Sequence, residues 1–102
     1  MTLPDDPIIL EMLPEFIDTW LVDIDEQYDT YLEEKNSKDL YRLAHTLKGS
    51  CYQFNINEIG DMGVELMGYC KDENWDKCKE MKEPIVNKFQ EAKKFVKDNI
   101  GS

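Results

Sequence analysis

Apolar residues recur every three or four positions along most of this chain, which is the spacing of one face of an α-helix. The clearest run lies within residues 38–54, where one side of a helical wheel collects only apolar side chains. They are Leu40, Leu43, Ala44, Leu47, Cys51 and Phe54. Because such a side must face a core, the pattern predicts an amphipathic helix in this segment.

Apolar stripes with the same spacing occur in three other segments. They cover residues 14–35, 57–71 and 75–99, and each predicts a helix. Short connections between long helices make neighbours run antiparallel. The prediction is therefore an all-α fold, an up-down-up-down four-helix bundle in which residues 1–102 form a single domain.

Polar residues and prolines give the predicted helix ends. Ser37 and Asn57 are the expected N-caps of the second and third long helices. Pro7 suits the first position of a helix. Pro14 lacks the amide hydrogen that a helix interior needs, so we expect the helix that starts at Pro7 to end there. This short N-terminal helix would act as a lid on the bundle.

The only histidine of the chain, His45, lies on the polar side of the helix predicted over residues 38–54. Lys48 and Gly49, one turn later, share that side. An exposed imidazole can attack phosphorus as a nucleophile, and an ammonium group can stabilise phosphoryl oxygens. A glycine has no side chain, so a second protein can approach the backbone closely. The three residues predict a site that accepts a phosphoryl group from a protein donor.

Residues 45–50, which read His-Thr-Leu-Lys-Gly-Ser, resemble the H-x-x-K-G signature of histidine-containing phosphotransfer (HPt) domains. In that family the histidine carries the phosphoryl group, and small residues follow the glycine. Ser50 and Cys51 supply the small residues here. Further on, the family usually shows a glycine and then an alanine, and here Asn55-Ile56 occupies the first of these places and Ile59 the second.

The resemblance implies a phosphorelay intermediate in two-component signalling. His45 would accept a phosphoryl group from the aspartyl phosphate of a response-regulator receiver domain and pass it to another receiver. The partners would be receiver domains and a hybrid sensor histidine kinase. The chain would be a phosphocarrier without kinase activity of its own, since it shows no glycine-rich nucleotide loop. It would need no cofactor of its own, and the receiver would supply Mg²⁺.

Tyr41, Arg42 and Tyr52 lie on the same side of the wheel as His45 and are candidate docking residues. The tyrosines could equally be half-buried residues at the bundle edge, and Arg42 could be a solvated surface charge. Two alternatives for the whole protein also stay open. One is a non-transferring helical-bundle adaptor that binds a receiver or a kinase, and the other is a structural bundle with an incidental histidine.

Three glycines lie inside the helix predicted over residues 57–71, namely Gly60, Gly63 and Gly68. Each costs about 1 kcal/mol of helix propensity relative to alanine. We expect close packing against the histidine helix to offset that cost, in preference to a surface left bare for a partner.

Charge and cysteine content exclude several classes of function. With 22 acidic and 12 basic residues the net charge is −10, which disfavours binding to nucleic acids or anionic membranes. No apolar run approaches the ~18 residues of a membrane span. Residues 1–6 lack the basic start of a signal peptide, so we expect a cytoplasmic protein, and a monomer suffices for the chemistry. Three scattered cysteines without metal-ligand spacing predict buried thiols and no metal site.

Overall fold

The computed structural model describes residues 2–100, and in this part of the chain it contains four α-helices. These are α1 (Pro7–Glu33), α2 (Ser37–Gln53), α3 (Asn57–Lys71) and α4 (Trp75–Ile100). Three short turns connect them, so each helix packs against its neighbours in the sequence. Helix α1 also packs against α4, which closes the bundle.

The core of the bundle collects the apolar stripes of all four helices. Every residue of the stripe predicted on α2 is buried, and so are the main apolar positions of the other helices. The all-α four-helix bundle is thus confirmed. Its α2 and α3 are the most closely packed pair.

The separate lid helix predicted at the N-terminus is wrong, because α1 continues through Pro14. Leu13 and Ile17, on either side of the proline, are both fully buried in the same core. Pro14 itself is exposed, and its missing amide hydrogen deprives only the Leu10 carbonyl of its helix partner. Packing on both sides of this one lost hydrogen bond holds the two segments in a single helix.

The two predicted N-caps are each wrong by one residue. Asn36 precedes α2, and its side-chain oxygen accepts a hydrogen bond of 3.1 Å from the backbone N–H of Asp39, so Ser37 is the first helical residue. Ile56 precedes α3 without any side-chain cap. Ile56 is buried, which indicates that packing of the turn, and not a capping hydrogen bond, sets the start of α3.

Three helix ends use a residue with positive φ, at Lys35, Asn55 and Glu73. Asn55 has a φ of 66°, and the N–H of the next residue, Ile56, donates to the Cys51 carbonyl at 2.8 Å. This is the left-handed turn that commonly ends a helix, for which glycine and asparagine are preferred. Asn55 therefore adopts at the end of α2 the left-handed conformation that glycine most often supplies.

Helices α1 and α4 are joined by the Tyr28 hydroxyl, which donates to the carbonyl of Cys78 in the buried interior. The three cysteines, Cys51, Cys70 and Cys78, are all buried free thiols, as predicted. Among the helices described, none combines the length and apolar character that crossing a bilayer requires.

Candidate functional site

The candidate site lies on the side of α2 that points away from the core. Seven residues lie within about 60° of the His45 direction on the helical wheel, and we call them the outer face of α2. They are Lys38, Tyr41, Arg42, His45, Lys48, Gly49 and Tyr52. The opposite side of the same helix is buried, so the fold itself forces these residues outwards.

His45 is exposed and lies in the middle of α2, with eight helical residues before it and eight after it. Among residues 2–100, no side-chain hydrogen bond or ion pair involves its imidazole. The imidazole is therefore exposed and has no hydrogen-bond or ion-pair partner among these residues. An unprotonated ring nitrogen in this setting can act as a nucleophile towards a group presented by another molecule.

Lys48 and Gly49 follow His45 by one turn, as the sequence predicts. Lys48 is half-buried, and within the described residues its ammonium group takes part in none of the ion pairs. This cation is available to an incoming anion. Gly49 is exposed, and a Cβ atom at that position would have no heavy atom within 4 Å. The backbone beside His45 is therefore open to a close approach from outside.

Gly63 of α3 brings a second helix directly beneath the outer face. A Cβ atom at Gly63 would lie 3.0 Å from the carbonyl oxygen of Ala44 and 3.0 Å from the backbone nitrogen of Lys48. The close packing predicted for the glycines of α3 is confirmed at this residue. Gly68, in contrast, is exposed with no heavy atom near its Cβ position, so that glycine leaves bare surface.

Tyr52 lies two turns after His45 and is 39% exposed. Its hydroxyl donates a hydrogen bond of 2.6 Å to the Oδ1 atom of Asp61 on α3. The ring lies against Gly60, where a Cβ atom would overlap it. The hydrogen bond to Asp61 raises the pKa of Tyr52 above its ordinary value. This tyrosine is thus held in one orientation at the edge of the outer face.

The other two candidate docking residues also have partners. Tyr41 is half-buried, and the Nζ atom of Lys71 lies 5.7 Å from the centre of its ring, a cation–π contact. Arg42 is exposed and lies 3.6 Å from the Asp39 carboxylate on the same helix. Both tyrosines of the outer face therefore contact α3, whereas the ion pair of Arg42 is with a residue of its own helix.

Exposed apolar side chains on α1 were missed by the sequence analysis. Ile8 and Met12 are 68% and 53% exposed. Asp23 of α1 and Arg42 of α2 line a groove between the two helices. Met12 lies on the same side of α1 as Asp23, so it is on the side of α1 that borders this groove. Ile8 and Met12 fall outside the buried stripe of α1, and that offset was the signal that could have revealed them.

Val64 of α3 is a further exposed apolar residue, with 49% of its surface accessible. It lies one turn after Gly60 and two turns before Lys71, the residues that contact the two tyrosines of α2. Helical spacing therefore places Val64 on the side of α3 that borders the outer face.

Metal ligands are not grouped in the described part of the chain. Among residues 2–100 there is no set of three or more His, Cys, Asp and Glu side chains that could hold a metal ion. The chemistry available from these residues is that of an exposed imidazole beside an ammonium group.

The fold and the site together define a helical bundle with one exposed histidine in the middle of α2. A family model described as the Hpt domain matches residues 10–95, and the chain belongs to this family. Hpt domains take part in phosphotransfer in two-component phosphorelays, where they act as phosphocarriers and interact with response-regulator receivers. No curated protein and no solved structure matches the chain.

Proposed function

We propose that His45 is the phosphoryl carrier of this protein. It accepts the group from the aspartyl phosphate of one receiver domain and passes it to another. The observation that carries the proposal is the exposed His45 imidazole, which has no partner among residues 2–100 and has Lys48 and Gly49 one turn away. Membership of the Hpt domain family supports it.

The reaction is a displacement at phosphorus. An unprotonated nitrogen of His45 forms a bond to phosphorus while the bond between phosphorus and the aspartyl oxygen breaks. The electron pair of that bond leaves with the receiver carboxylate, and the proton on the other ring nitrogen can pass to water. Transfer to a second receiver reverses these steps, with its aspartate as the nucleophile.

Lys48 and Gly49 have separate tasks in this proposal. The Lys48 ammonium group reduces the negative charge on the phosphoryl oxygens before and after transfer. Gly49 lets the rim of the receiver active site reach the backbone of α2. Tyr41, Arg42 and Tyr52 form the docking surface, and the exposed Val64 extends its apolar part.

The receiver supplies the Mg²⁺ ion that neutralises charge on the phosphoryl group, and this chain adds no cofactor of its own. A hybrid sensor histidine kinase is the upstream source of the phosphoryl group. A monomer can carry out each transfer. The cytoplasmic location expected from the sequence stays a prediction.

The test is incubation of the protein with receiver domains charged on aspartate by acetyl phosphate, followed by intact-mass analysis before and after acid treatment. We expect a phosphoryl adduct that acid removes, and no adduct on a His45→Gln variant. The variant is a matched control because the exposed His45 side chain contributes no hydrogen bond to the fold, and its thermal unfolding should equal that of the wild type. A receiver that binds without any adduct would refute phosphotransfer and indicate an adaptor.

A further inference from the structure

The contact between Tyr52 and Asp61 joins two helices at the edge of the outer face. Tyr52 belongs to α2 and Asp61 to α3, and the 2.6 Å hydrogen bond between them is exposed to solvent. An exposed tyrosine on a helix ordinarily samples several rotamers. Here the hydroxyl is fixed by Asp61 and the ring by the surface of Gly60.

Gly60 is the feature that permits this arrangement. It is buried under the Tyr52 ring, and any side chain at that position would displace the ring. Glycine is an unfavourable residue inside a helix, and the packing of the Tyr52 ring on the surface of Gly60 offsets that cost. The same packing holds the Tyr52 ring against α3, so its direction at the edge of the outer face is set by Gly60 and Asp61 together.

We propose that Asp61 is a positioning residue that holds Tyr52 in the orientation in which an incoming receiver meets it. This inference rests on the proposed function, because it assigns the contact to receiver docking. A fixed aromatic side chain binds a partner with less loss of conformational freedom than a mobile one. Asp61 therefore acts through Tyr52 and does not touch the phosphoryl group.

A purely structural role makes a different prediction. If the Tyr52 hydrogen bond only tied α3 to α2, its loss would lower thermal stability and leave receiver docking unchanged. If Asp61 positions Tyr52, its loss raises the KM for a phosphorylated receiver more than it lowers kcat. The two roles are therefore separated by transfer kinetics and not by stability.

The experiment compares Asp61→Ala, Asp61→Asn and Tyr52→Phe in transfer from a phosphorylated receiver, with the receiver Kd measured alongside. Phosphoramidate, a small donor that needs no docking surface, gives the reference rate of each variant. The cost of ordering one freed side chain on binding predicts a KM and a Kd raised about three- to tenfold in Asp61→Ala. Asp61→Asn keeps an acceptor for the Tyr52 hydroxyl and should restore most of the affinity.

Two further variants test whether Asp61 acts through Tyr52. Asp61→Ala in the Tyr52→Phe background should have no additional effect. Gly60→Ala keeps both side chains but displaces the ring, and should reproduce the raised KM. The matched control is Glu65→Ala, because Glu65 accepts a similar exposed hydrogen bond of 2.9 Å from Tyr69 on the same helix and should leave the KM unchanged.

The outcomes separate this inference from the proposed function. A wild-type protein that takes no phosphoryl group from any receiver refutes the proposed function. In that case the receiver Kd of Asp61→Ala, compared with the wild-type Kd, still tests the positioning role. An Asp61→Ala variant with the KM and Kd of the wild type refutes the positioning role. An Asp61→Ala effect that persists in the Tyr52→Phe background also refutes it, because Asp61 would then act independently of Tyr52.

Discussion

Gly63→Ala tests the packing that supports the histidine helix. The new Cβ atom would lie 3.0 Å from the Ala44 carbonyl oxygen, 3.0 Å from the Lys48 nitrogen and 3.2 Å from the Lys48 Cα atom. All three atoms belong to the backbone of α2, so no side-chain rotation can make room. Since favourable carbon contacts begin near ~3.5 Å, α2 and α3 must separate by about 0.5 Å or deform.

The magnitude follows from two opposing terms. Overpacking of this kind costs about 1–3 kcal/mol, whereas replacing a helical glycine by alanine gains about 0.5–1 kcal/mol. Gly68→Ala is the matched control, because it makes the same change in the same helix where nothing lies within 4 Å of the Cβ position. The difference between the two variants cancels the propensity term, so Gly63→Ala should be about 1–3 kcal/mol less stable than Gly68→Ala.

Urea unfolding at equilibrium measures this difference, provided that both variants unfold with the same dependence on urea concentration. We expect Gly68→Ala to be more stable than the wild type and Gly63→Ala to be less stable. Equal free energies of unfolding in the two variants would refute the conclusion that α3 and α2 are in backbone contact beneath the site.

Three further predictions concern the site and the core. Gly49→Ala should raise the free energy of unfolding by about 0.5–1 kcal/mol while slowing transfer from a receiver, and unchanged transfer in a stabilised variant would show that no partner approaches there. Burial raises the pKa of Cys51 from 9.0 to about 12. Below pH 9 the thiol is neutral in both the folded and the unfolded chain, and its contribution to stability is fully present. Above pH 9 the thiol ionises in the unfolded chain but not in the folded one, so the free energy of unfolding falls as the pH rises towards 12. The loss should be about 1.4 kcal/mol per pH unit, and Cys51→Ala should show a smaller slope in unfolding measured across this range. Tyr28→Phe removes the buried hydrogen bond to the Cys78 carbonyl and should cost about 0.5–1.5 kcal/mol in urea unfolding, whereas an unchanged free energy would contradict a role for that bond.

The position of His45 could be predicted from the sequence because it depends on one helix alone. The apolar stripe of α2 has a spacing that only a helix satisfies, and every residue of that stripe is buried. Once the stripe faces the core, the directions of Lys48 and Gly49 follow from helical geometry. Their roles in phosphoryl transfer stay predictions.

The continuous α1 could not be predicted in this way, because local and tertiary preferences disagree at Pro14. The local cost of an internal proline favours a break, and the burial of Leu13 and Ile17 favours continuity. Only the folded core decides between them. The cap predicted at Ser37 was wrong because Asn36 and Ser37 are both good capping residues and adjacent in the sequence, and the one at Asn57 because burial of Ile56 sets the start of α3.

The contact between Tyr52 and Asp61 could not be predicted from the spacing of apolar residues, because it depends on how α3 is aligned against α2. That alignment is set where backbone meets backbone, at Gly63, and where the Tyr52 ring lies on Gly60. A glycine in a sequence indicates that space is needed but not which neighbour occupies it. The pairing therefore required the structure.

The arrangement around His45 also indicates how the proposed transfer would divide its tasks between this chain and a receiver. A nucleophilic side chain that reacts within its own protein is usually oriented by a neighbouring acceptor. Among residues 2–100, His45 has no such neighbour, and the nearest charges on its face of α2 are Arg42 and Lys48, one turn before and one turn after it. We therefore expect the partner to provide most of the orientation and charge stabilisation for transfer. This chain would contribute an accessible imidazole. Gly49 leaves the backbone beside His45 open, and Gly63 lets α3 pack on the backbone of α2 on the side away from the imidazole.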